Sequence, residues 1–240
     1  MKHDPAVLDA LAALAADYEL PSDAASRLAT LLGLIAAEPA SITSVREPLL
    51  GVSRHVEDSL TGLRSPSLRS ASHIADIGSG AGLPGLVLAI ALPDAQVTLI
   101  ESVERKCRFL RAAVSASGCT NAEVVHARAE EWREGVGRQD VVTARALAPL
   151  AVLVEYAAPL LVQDGRLIAW KGAPDADELA AGAAAAAIVG LKPEPAIALP
   201  PFTNTGAPRS LYSYLKVNPT PERFPRRSGI ARKRPLAGSA

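Results

Sequence analysis

Residues 76–85 read DIGSGAGLPG, a glycine-rich loop between two apolar runs, and this loop is the strongest candidate for a ligand-binding site. In an open parallel sheet the ligand lies at the carboxyl ends of the strands, and glycines in the first strand-to-helix turn let the backbone approach it. The glycines fit two spacings, which are alternate positions (Gly78, Gly80, Gly82) and the dinucleotide pattern G-x-G-x-x-G (Gly80, Gly82, Gly85). The two spacings indicate different nucleoside cofactors, and a tight turn without a ligand is the structural alternative.

The alternate spacing accounts for more of the neighbouring residues. Asp76 then ends the strand, where its carboxylate is expected to meet the cationic amino end of a methionine-like ligand, and Pro84 falls in the first helical turn, where its missing N–H costs little. Glu101 ends the next strand, where an acidic residue takes ribose hydroxyls in both cofactor classes. Leu86 rather than lysine follows the last glycine, which argues against a triphosphate loop. These residues favour S-adenosylmethionine but leave a nicotinamide dinucleotide open.

After residue 73, short apolar runs alternate with helical segments, and this pattern predicts the strands and helices that would position the loop. Alternation of this kind predicts a mostly parallel sheet with helices on both faces. The predicted strands are 73–78, 96–101, 122–127, 140–145 and 166–172, and the predicted helices between them are 84–92, 103–117, 149–161 and 175–189. The runs 194–200 and 210–217 are joined by only a loop, which predicts an antiparallel hairpin at one sheet edge. The prediction is an α/β, Rossmann-like fold with a seven-stranded sheet and a terminal hairpin, as in class I methyltransferases.

The chain divides into three parts by composition. Residues 1–70 are predicted to form a small helical region, residues 71–217 the Rossmann-like domain, and residues 218–240 a tail. The tail carries 6 basic residues against 1 acidic residue in a chain whose net charge is zero, and it is rich in proline. We expect this tail to be extended or disordered when alone.

The composition of the chain indicates where the protein works and whether it binds a metal. Apolar residues make up 49% of the chain, but no run is long enough for a membrane span, and the acidic start does not resemble a secretory signal. A cytoplasmic monomer is expected. Cys107 and Cys119 are expected to be reduced and structural, because they form no C-x-x-C pair. His55 and Asp58 are spaced like a metal pair but lack a third ligand, so no metal is predicted.

Six motifs in order resemble one known family. DIGSGAGLPGLVLAI, preceded by RHVEDSL and followed by RAEEW, DVVTARALAPL, LIAWKG and FPRRSGIARKRPL, is similar to the RsmG (GidB) family of bacterial 16S rRNA guanine-N7 methyltransferases. The match extends over roughly residues 41–236. The resemblance implies S-adenosylmethionine as cofactor and 16S rRNA or the small ribosomal subunit as partner, with guanine 527 in standard rRNA numbering as the family target.

The resemblance also implies residue roles. In the family, positions matching Gly78 and Leu83 contact the cofactor, positions matching Ala129 and Glu130 lie beside the adenine, and the position matching Arg145 is a further binding residue. Together with Gly80 and Glu101 they form the predicted cofactor set. Many members have an aromatic residue where this chain has Leu83, and a serine-containing version of ARALAPL.

The implied reaction makes modest chemical demands. Guanine N7 carries an exposed lone pair, so it attacks a sulfonium methyl without first losing a proton, and no catalytic general base is predicted. Positioning the reactants in line is then the main catalytic effect. An A-form helix hides N7 in its deep major groove, so the base must come from a loop or a deformable region.

Basic side chains are the candidates for binding RNA phosphates. The predicted set is Arg54, Arg105, Lys106, Arg108, Lys171, Arg226, Arg227, Arg232, Lys233 and Arg234. Simpler interpretations are a solvated helix face for 103–111 and a solubilising end for the tail. Two rival functions stay open at this point, a nicotinamide-dependent oxidoreductase and a non-catalytic RNA-binding protein.

Overall fold

A computed structural model describes residues 4–38, 42–201 and 208–236 of the chain. The N-terminal region is helical, as predicted. Its first two helices, α1 (Pro5–Asp17) and α2 (Ala24–Ala37), are followed by a continuous helical segment at 48–64 and by α5 (Pro66–Arg69). The segment 48–64 begins as α3 (Pro48–Gly51), passes through a π-helix (Val52–Glu57), returns to α4 (Asp58–Leu60) and ends as a 3-10 helix (Thr61–Arg64).

The remainder of the fold alternates strands and helices. In chain order the elements are β1 (His73–Ile77), α6 (Gly85–Ala91), β2 (Gln96–Glu101), α7 (Glu104–Ala116), β3 (Ala122–His126), β4 (Gln139–Arg145), α8 (Leu150–Ala157), β5 (Leu161–Lys171), α9 (Ala176–Val189), β6 (Leu191–Pro193), β7 (Ile197–Leu199), β8 (Arg209–Lys216) and α10 (Ile230–Lys233). Short 3-10 helices (Ala129–Glu131 and Arg133–Gly135) join β3 to β4.

One sheet with the strand order β3-β2-β1-β4-β5-β8-β6 forms the centre of the fold. Strands β1 to β5 pair in parallel, and β8 pairs antiparallel with β5. Strands β6 and β7 both pair antiparallel with β8, at its carboxyl and amino ends respectively, so they share one edge position. The predicted fold class and terminal hairpin are therefore confirmed, with the edge strand divided into two short segments.

Two hydrophobic clusters cover the two faces of this sheet. One cluster contains the N-terminal helices together with α6 and α7, and the other contains α8, α9 and two residues of the C-terminal segment, Phe224 and Ala231. The N-terminal helices thus share a core with the sheet. Among the described residues, no helix is both long enough and apolar enough to cross a membrane.

Two local predictions were wrong. The helix expected over 149–161 ends at Ala157, and β5 starts at Leu161, because Leu161 already pairs with Gln139 before a register irregularity. The tail was expected to be extended or disordered, but its described part, 218–236, packs on the α8 face with Phe224 and Ala231 only 7% and 2% exposed. These two apolar side chains belong to the core cluster of α8 and α9, so the segment is packed against the fold in spite of its charge. Residues 237–240 lie outside the described residues.

Candidate functional site

The glycine loop joins β1 to α6 at the carboxyl edge of the sheet. Gly78, Gly80 and Gly82 all have positive φ angles (72°, 56° and 83°), whereas Gly85 is not among the positive-φ glycines and begins α6. A side chain disfavours that left-handed conformation, so glycine is required at the alternate positions. The backbone therefore follows the spacing that starts at Gly78 and not the dinucleotide spacing. The N–H of Gly78 donates to the carbonyl of Ile100 at 2.8 Å, which holds the loop against the end of β2.

Asp76 has a different role from the one predicted. Its side chain is 1% exposed, and its carboxylate accepts hydrogen bonds from Thr143 Oγ1 at 2.9 Å and from the N–H of Gly85 at 3.1 Å. The carboxylate thus ties β1 to β4 and to the start of α6 instead of facing a ligand. Burial raises the pKa of this carboxyl from 3.8 to about 6, although the hydrogen bonds from Thr143, Ser79 and Gly85 oppose the rise.

We expect the free energy of unfolding to report this raised pKa. Between the unfolded pKa of 3.8 and the folded pKa of about 6, the native protein keeps a proton that the unfolded chain has released. Ionisation of Asp76 therefore lowers stability as pH rises through this window, by on the order of 3 kcal/mol at neutral pH. The Asp76→Asn variant should lack that loss, so its stability relative to the native protein should increase between about pH 4 and about pH 7.

Urea unfolding at several pH values measures the difference. Asp94→Asn, which removes an exposed carboxylate in the α6–β2 loop, is the matched control for a general charge effect. A pH-independent difference between Asp76→Asn and the native protein would contradict the assigned pKa.

Glu101 lies at the position predicted for it, at the carboxyl end of β2. Its side chain is 5% exposed, and its two carboxylate oxygens accept from the N–H groups of Gly80 at 3.1 Å and Val103 at 2.9 Å. Each carboxylate oxygen has a second lone pair for another donor. Glu101 is thus fixed directly beside the glycine loop.

A crevice of about 210 Å³ opens between the glycine loop and the end of β3. Gly78, Ala129 and Glu130 line it together with Ser102, and its other lining residues are Ile77, Ile100, Ala127, Arg128, Leu147, Tyr156 and Arg232. The structure thus brings together three of the residues that the family resemblance assigns to the cofactor. Leu83 is not among the lining residues. Its side chain is 6% exposed within the N-terminal core cluster, so the expected contact through this side chain is not supported.

A second polar cluster surrounds Asp58 at the end of β4. Arg145 donates from Nη1 to Asp58 Oδ2 at 2.8 Å, and Arg209 donates to Asp58 Oδ1. The carbonyl of Asp58 accepts from Trp170 Nε1 at 2.8 Å. Arg145 Nη1 also lies 3.4 Å from the carbonyl of Arg54. Asp58 therefore connects the N-terminal helical segment to β4, β5 and β8.

The sequence predictions missed two members of this cluster. Arg209 was not singled out, and Asp58 was expected only to lie on a helix surface packed against the cofactor domain, with no ionic partner named. His55 Nε2 instead lies 2.9 Å from the carbonyl of Val45, and burial lowers the pKa of the imidazole. Asp58 in RHVEDSL could have indicated this cluster, since a carboxylate inside an otherwise buried helix needs a cationic partner.

A pocket of about 450 Å³ lies at the carboxyl ends of β4 and β5. The residues that line it are Arg54, Asp58, Arg145, Ala146, Trp170, Lys171, Gly172, Leu199, Pro208, Arg209 and Ser210. Its wall is apolar at Trp170, Leu199 and Pro208, and three arginines line it beside one carboxylate, that of Asp58. Such a pocket suits a flat aromatic ring attached to an anionic group.

Most of the predicted RNA-binding residues that are exposed lie either on α7 or on the tail. Arg105 and Arg108 are exposed on the first turns of α7, where Lys106 is half-buried, and Arg227, Lys233 and Arg234 are exposed on the tail. Arg54 lines the 450 Å³ pocket.

Two basic residues are already paired inside the protein. Lys171 Nζ lies 2.6 Å from Glu178 Oε1, and Arg226 makes a two-pronged ion pair with Glu155, a carboxylate only 2% exposed. The second pair raises the pKa of Arg226. Because their charges are compensated, Lys171 and Arg226 are poor candidates for phosphate contacts, contrary to the sequence-based expectation.

One group of side chains has the composition of a metal site. The ligand atoms of Glu104, Cys107 and His126 lie within 4.8 Å of one another. The Cys107 thiol, however, donates to the carbonyl of Glu101 at 3.2 Å, and burial raises its pKa. A neutral thiol is a weak ligand. The absence of a metal stays a prediction.

Comparison with known sequences gives consistent results. The sequence model of the GidB family, described as rRNA small subunit methyltransferase G, matches residues 25–199. The ribosomal RNA small subunit methyltransferase G of Rubrobacter xylanophilus is 42% identical over 161 residues, which cover 65% of this chain and 62% of that protein. Its counterpart from Chloroflexus aggregans is 43% identical over 156 residues, which cover 64% of this chain and 65% of that protein. The matched part thus spans just under two thirds of these relatives.

Comparison with solved structures supports the fold. Precorrin-6y C5,15-methyltransferase from Geobacter metallireducens aligns with a TM-score of 0.50 at 17% identity, covering 75% of this chain and 93% of that one. Aeropyrum pernix fibrillarin, solved in complex with S-adenosyl-L-methionine, aligns with a TM-score of 0.51 at 18% identity, covering 66% of this chain and 73% of that one. At these identities the likeness concerns the methyltransferase fold alone.

Proposed function

Since the chain belongs to the GidB family of rRNA small subunit methyltransferases, we propose that it methylates N7 of a guanine in 16S rRNA with S-adenosylmethionine as cofactor. The observation that carries this proposal is the juxtaposition at the carboxyl edge of the sheet. Gly78 lines the 210 Å³ crevice, and Arg145, at the end of the neighbouring strand β4, lines the 450 Å³ pocket. One compartment suits a nucleoside cofactor and the other suits the target nucleotide.

The residues of the crevice fit the chemistry of S-adenosylmethionine. Left-handed glycines at 78 and 80 allow the backbone to approach a ligand, and a Cβ at Gly78 would lie 2.5 Å from Leu147 Cδ1. Glu101 does not line the crevice, but its carboxylate is bonded to the N–H of Gly80 beside it and is proposed to accept from ribose hydroxyls. Ala129 and Ile100 line the crevice and give the apolar surface that an adenine ring needs. The cofactor supplies an electrophilic methyl group on a sulfonium.

The 450 Å³ pocket is proposed to receive the target guanine. Trp170 offers an apolar surface. Asp58 holds the guanidinium groups of both Arg145 and Arg209, so this group of three side chains has a net positive charge. That charge favours a nucleotide that carries its phosphate into the pocket. Because N7 needs no deprotonation, the residues have to orient the base and exclude water, and neither task requires a general base.

The RNA surface is proposed to be the rim around these two compartments. Arg105, Lys106, Arg227 and Lys233 all extend from elements that begin or pack at the carboxyl ends of β2 and β3. Phosphate binding by such residues makes RNA affinity fall steeply with salt. A cytoplasmic monomer remains our expectation for the working form.

Calorimetric titration ranks the two nucleoside cofactors that the sequence left open. S-adenosylhomocysteine should bind the protein, whereas NADH should not bind at comparable concentrations. Preferential binding of NADH would instead support the oxidoreductase alternative.

Gly78→Ala is expected to weaken S-adenosylhomocysteine binding by about tenfold or more. The new methyl group would lie 2.5 Å from Leu147 Cδ1, so it would push Leu147 into the crevice, and alanine at φ 72° adds strain of about 1–2 kcal/mol. Gly118→Ala is a matched control, because Gly118 has φ 64° but no atom within 4 Å of the added methyl. Both variants should lose stability through backbone strain, Gly78→Ala the more because of the overlap with Leu147, and only Gly78→Ala should lose affinity. Equal affinities would exclude Gly78 from the cofactor site.

A further inference from the structure

The C-terminal segment 220–236, hereafter the C-terminal clamp, is anchored to the face of the fold formed by α8. Phe224 and Ala231 are buried in the same cluster as α8 and α9. Arg226 pairs through both Nε and Nη2 with Glu155 on α8, which is itself 2% exposed. These contacts fix the course of the segment at two separate points.

Between and next to those anchors the clamp contacts residues that border the crevice. The N–H of Gly229 donates to Glu130 Oε1 at 2.9 Å, and Ser228 Oγ donates to Glu131 Oε1. Arg232 donates from Nη2 to the carbonyl of Leu147 at 3.0 Å. Glu130 lines the crevice, and the Leu147 side chain lies over Gly78.

Arg232 is itself a lining residue of the 210 Å³ crevice, although it lies far from Gly78 and Glu130 in the chain. Its guanidinium also interacts with Tyr156, another lining residue, and opposes the burial that raises the pKa of the Tyr156 hydroxyl. A segment that only covered the α8 face would not need to place a cation at the crevice. The C-terminal clamp therefore forms one wall of this compartment.

The same segment also presents cations to solvent. Arg227, Lys233 and Arg234 are exposed, next in sequence to residues that contact the crevice wall. Phosphates bound by these side chains would hold the segment in place, and a ligand in the crevice would do the same from the other side.

We propose that the C-terminal clamp couples RNA binding to cofactor binding, with Arg232 as the residue that connects the two. This inference rests on the proposed function, because it takes the crevice as the cofactor site and RNA as the outer partner. Two ligands that both stabilise the clamp in its packed position bind with positive cooperativity, and the coupling between them is reciprocal. The cofactor should therefore tighten RNA binding by the same factor by which RNA tightens cofactor binding.

A four-sided binding cycle tests this coupling. The dissociation constant of S-adenosylhomocysteine is measured with and without saturating small ribosomal subunits that lack the methylation, and the dissociation constant of the subunits with and without S-adenosylhomocysteine. For the native protein each ligand should tighten the other by about fivefold or more, within the usual range of allosteric coupling. Arg232→Gln should remain folded, because its side chain is exposed, but its coupling factor should fall to about one.

Arg138→Gln is the matched control. It removes an exposed arginine next to the amino end of β4, at the opposite end of the strand from the proposed site. This variant should keep the native coupling factor. Native coupling in Arg232→Gln, or no coupling in the native protein although both ligands bind, would overturn the inference. Failure of the native protein to bind S-adenosylhomocysteine or the subunits would overturn the proposed function instead.

Discussion

Replacing Arg145 by alanine is expected to lower the rate of methyl transfer by about a hundredfold or more, the loss expected when a reacting group is misplaced by about 1 Å. Arg145 is the last residue of β4 and lines the pocket proposed for the target guanine. Its guanidinium is held by Asp58 at 2.8 Å, so it presents a fixed direction to any nucleotide in that pocket. Without it, the proposed guanine pocket lacks the guanidinium that Asp58 holds in a fixed direction.

Folding should survive the Arg145 substitution, because Asp58 keeps its second cationic partner, Arg209. Circular dichroism and urea unfolding check this, and initial rates with labelled S-adenosylmethionine measure the loss. Arg138→Ala, which precedes the first residue of the same strand, should leave the rate unchanged. Native turnover by Arg145→Ala would remove this residue from the site.

Replacing Asp58 by alanine is expected to lower the free energy of unfolding by about 3–5 kcal/mol, the usual cost of removing one member of a buried ion pair. The side chains of Arg145 and Arg209 are only 15% and 8% exposed, and both use Asp58 as their anionic partner. Removing the carboxylate leaves two largely buried cations close together without the anion that they share. Urea unfolding at neutral pH measures the change.

Two further variants separate the causes of that loss. Asp58→Asn keeps the shape and hydrogen-bonding oxygen but not the charge, so its stability should lie between those of the native protein and Asp58→Ala. Asp9→Ala, in exposed α1, controls for loss of a surface carboxylate and should change stability by less than about 0.5 kcal/mol. If Asp58→Ala unfolded at the same urea concentration as the native protein, the stability of the fold would not depend on pairing the two arginines with this carboxylate.

Features set by neighbouring residues were predictable from the sequence. The alternation of apolar runs and helices predicted the parallel sheet and its terminal hairpin. The glycine spacing, read together with Pro84, predicted the loop that the φ angles at Gly78, Gly80 and Gly82 now confirm. In both cases the information lies within a short stretch of chain, because backbone conformation and hydrogen-bond pairing depend mainly on local residue types.

Features set by distant residues were not predictable in the same way. Asp76 was expected to face the ligand, but its partner Thr143 lies 67 residues away and takes up one carboxylate oxygen inside the core. Asp58 and Arg209 are 151 residues apart, and no spacing rule connects them. The expectation for the tail rested on its proline and basic residues, whereas the burial of Phe224 and the pairing of Arg226 with Glu155 hold it against the fold.

Methyl transfer to the small ribosomal subunit tests the central claim most directly. The protein is incubated with methyl-labelled S-adenosylmethionine and small subunits, or their naked RNA, that lack the modification, and N7-methylguanine is located by chemical strand cleavage. We predict label at a single guanine of 16S rRNA and cleavage at that guanine. Absence of label under every ionic condition, or label without cleavage at guanine, would contradict the proposed function.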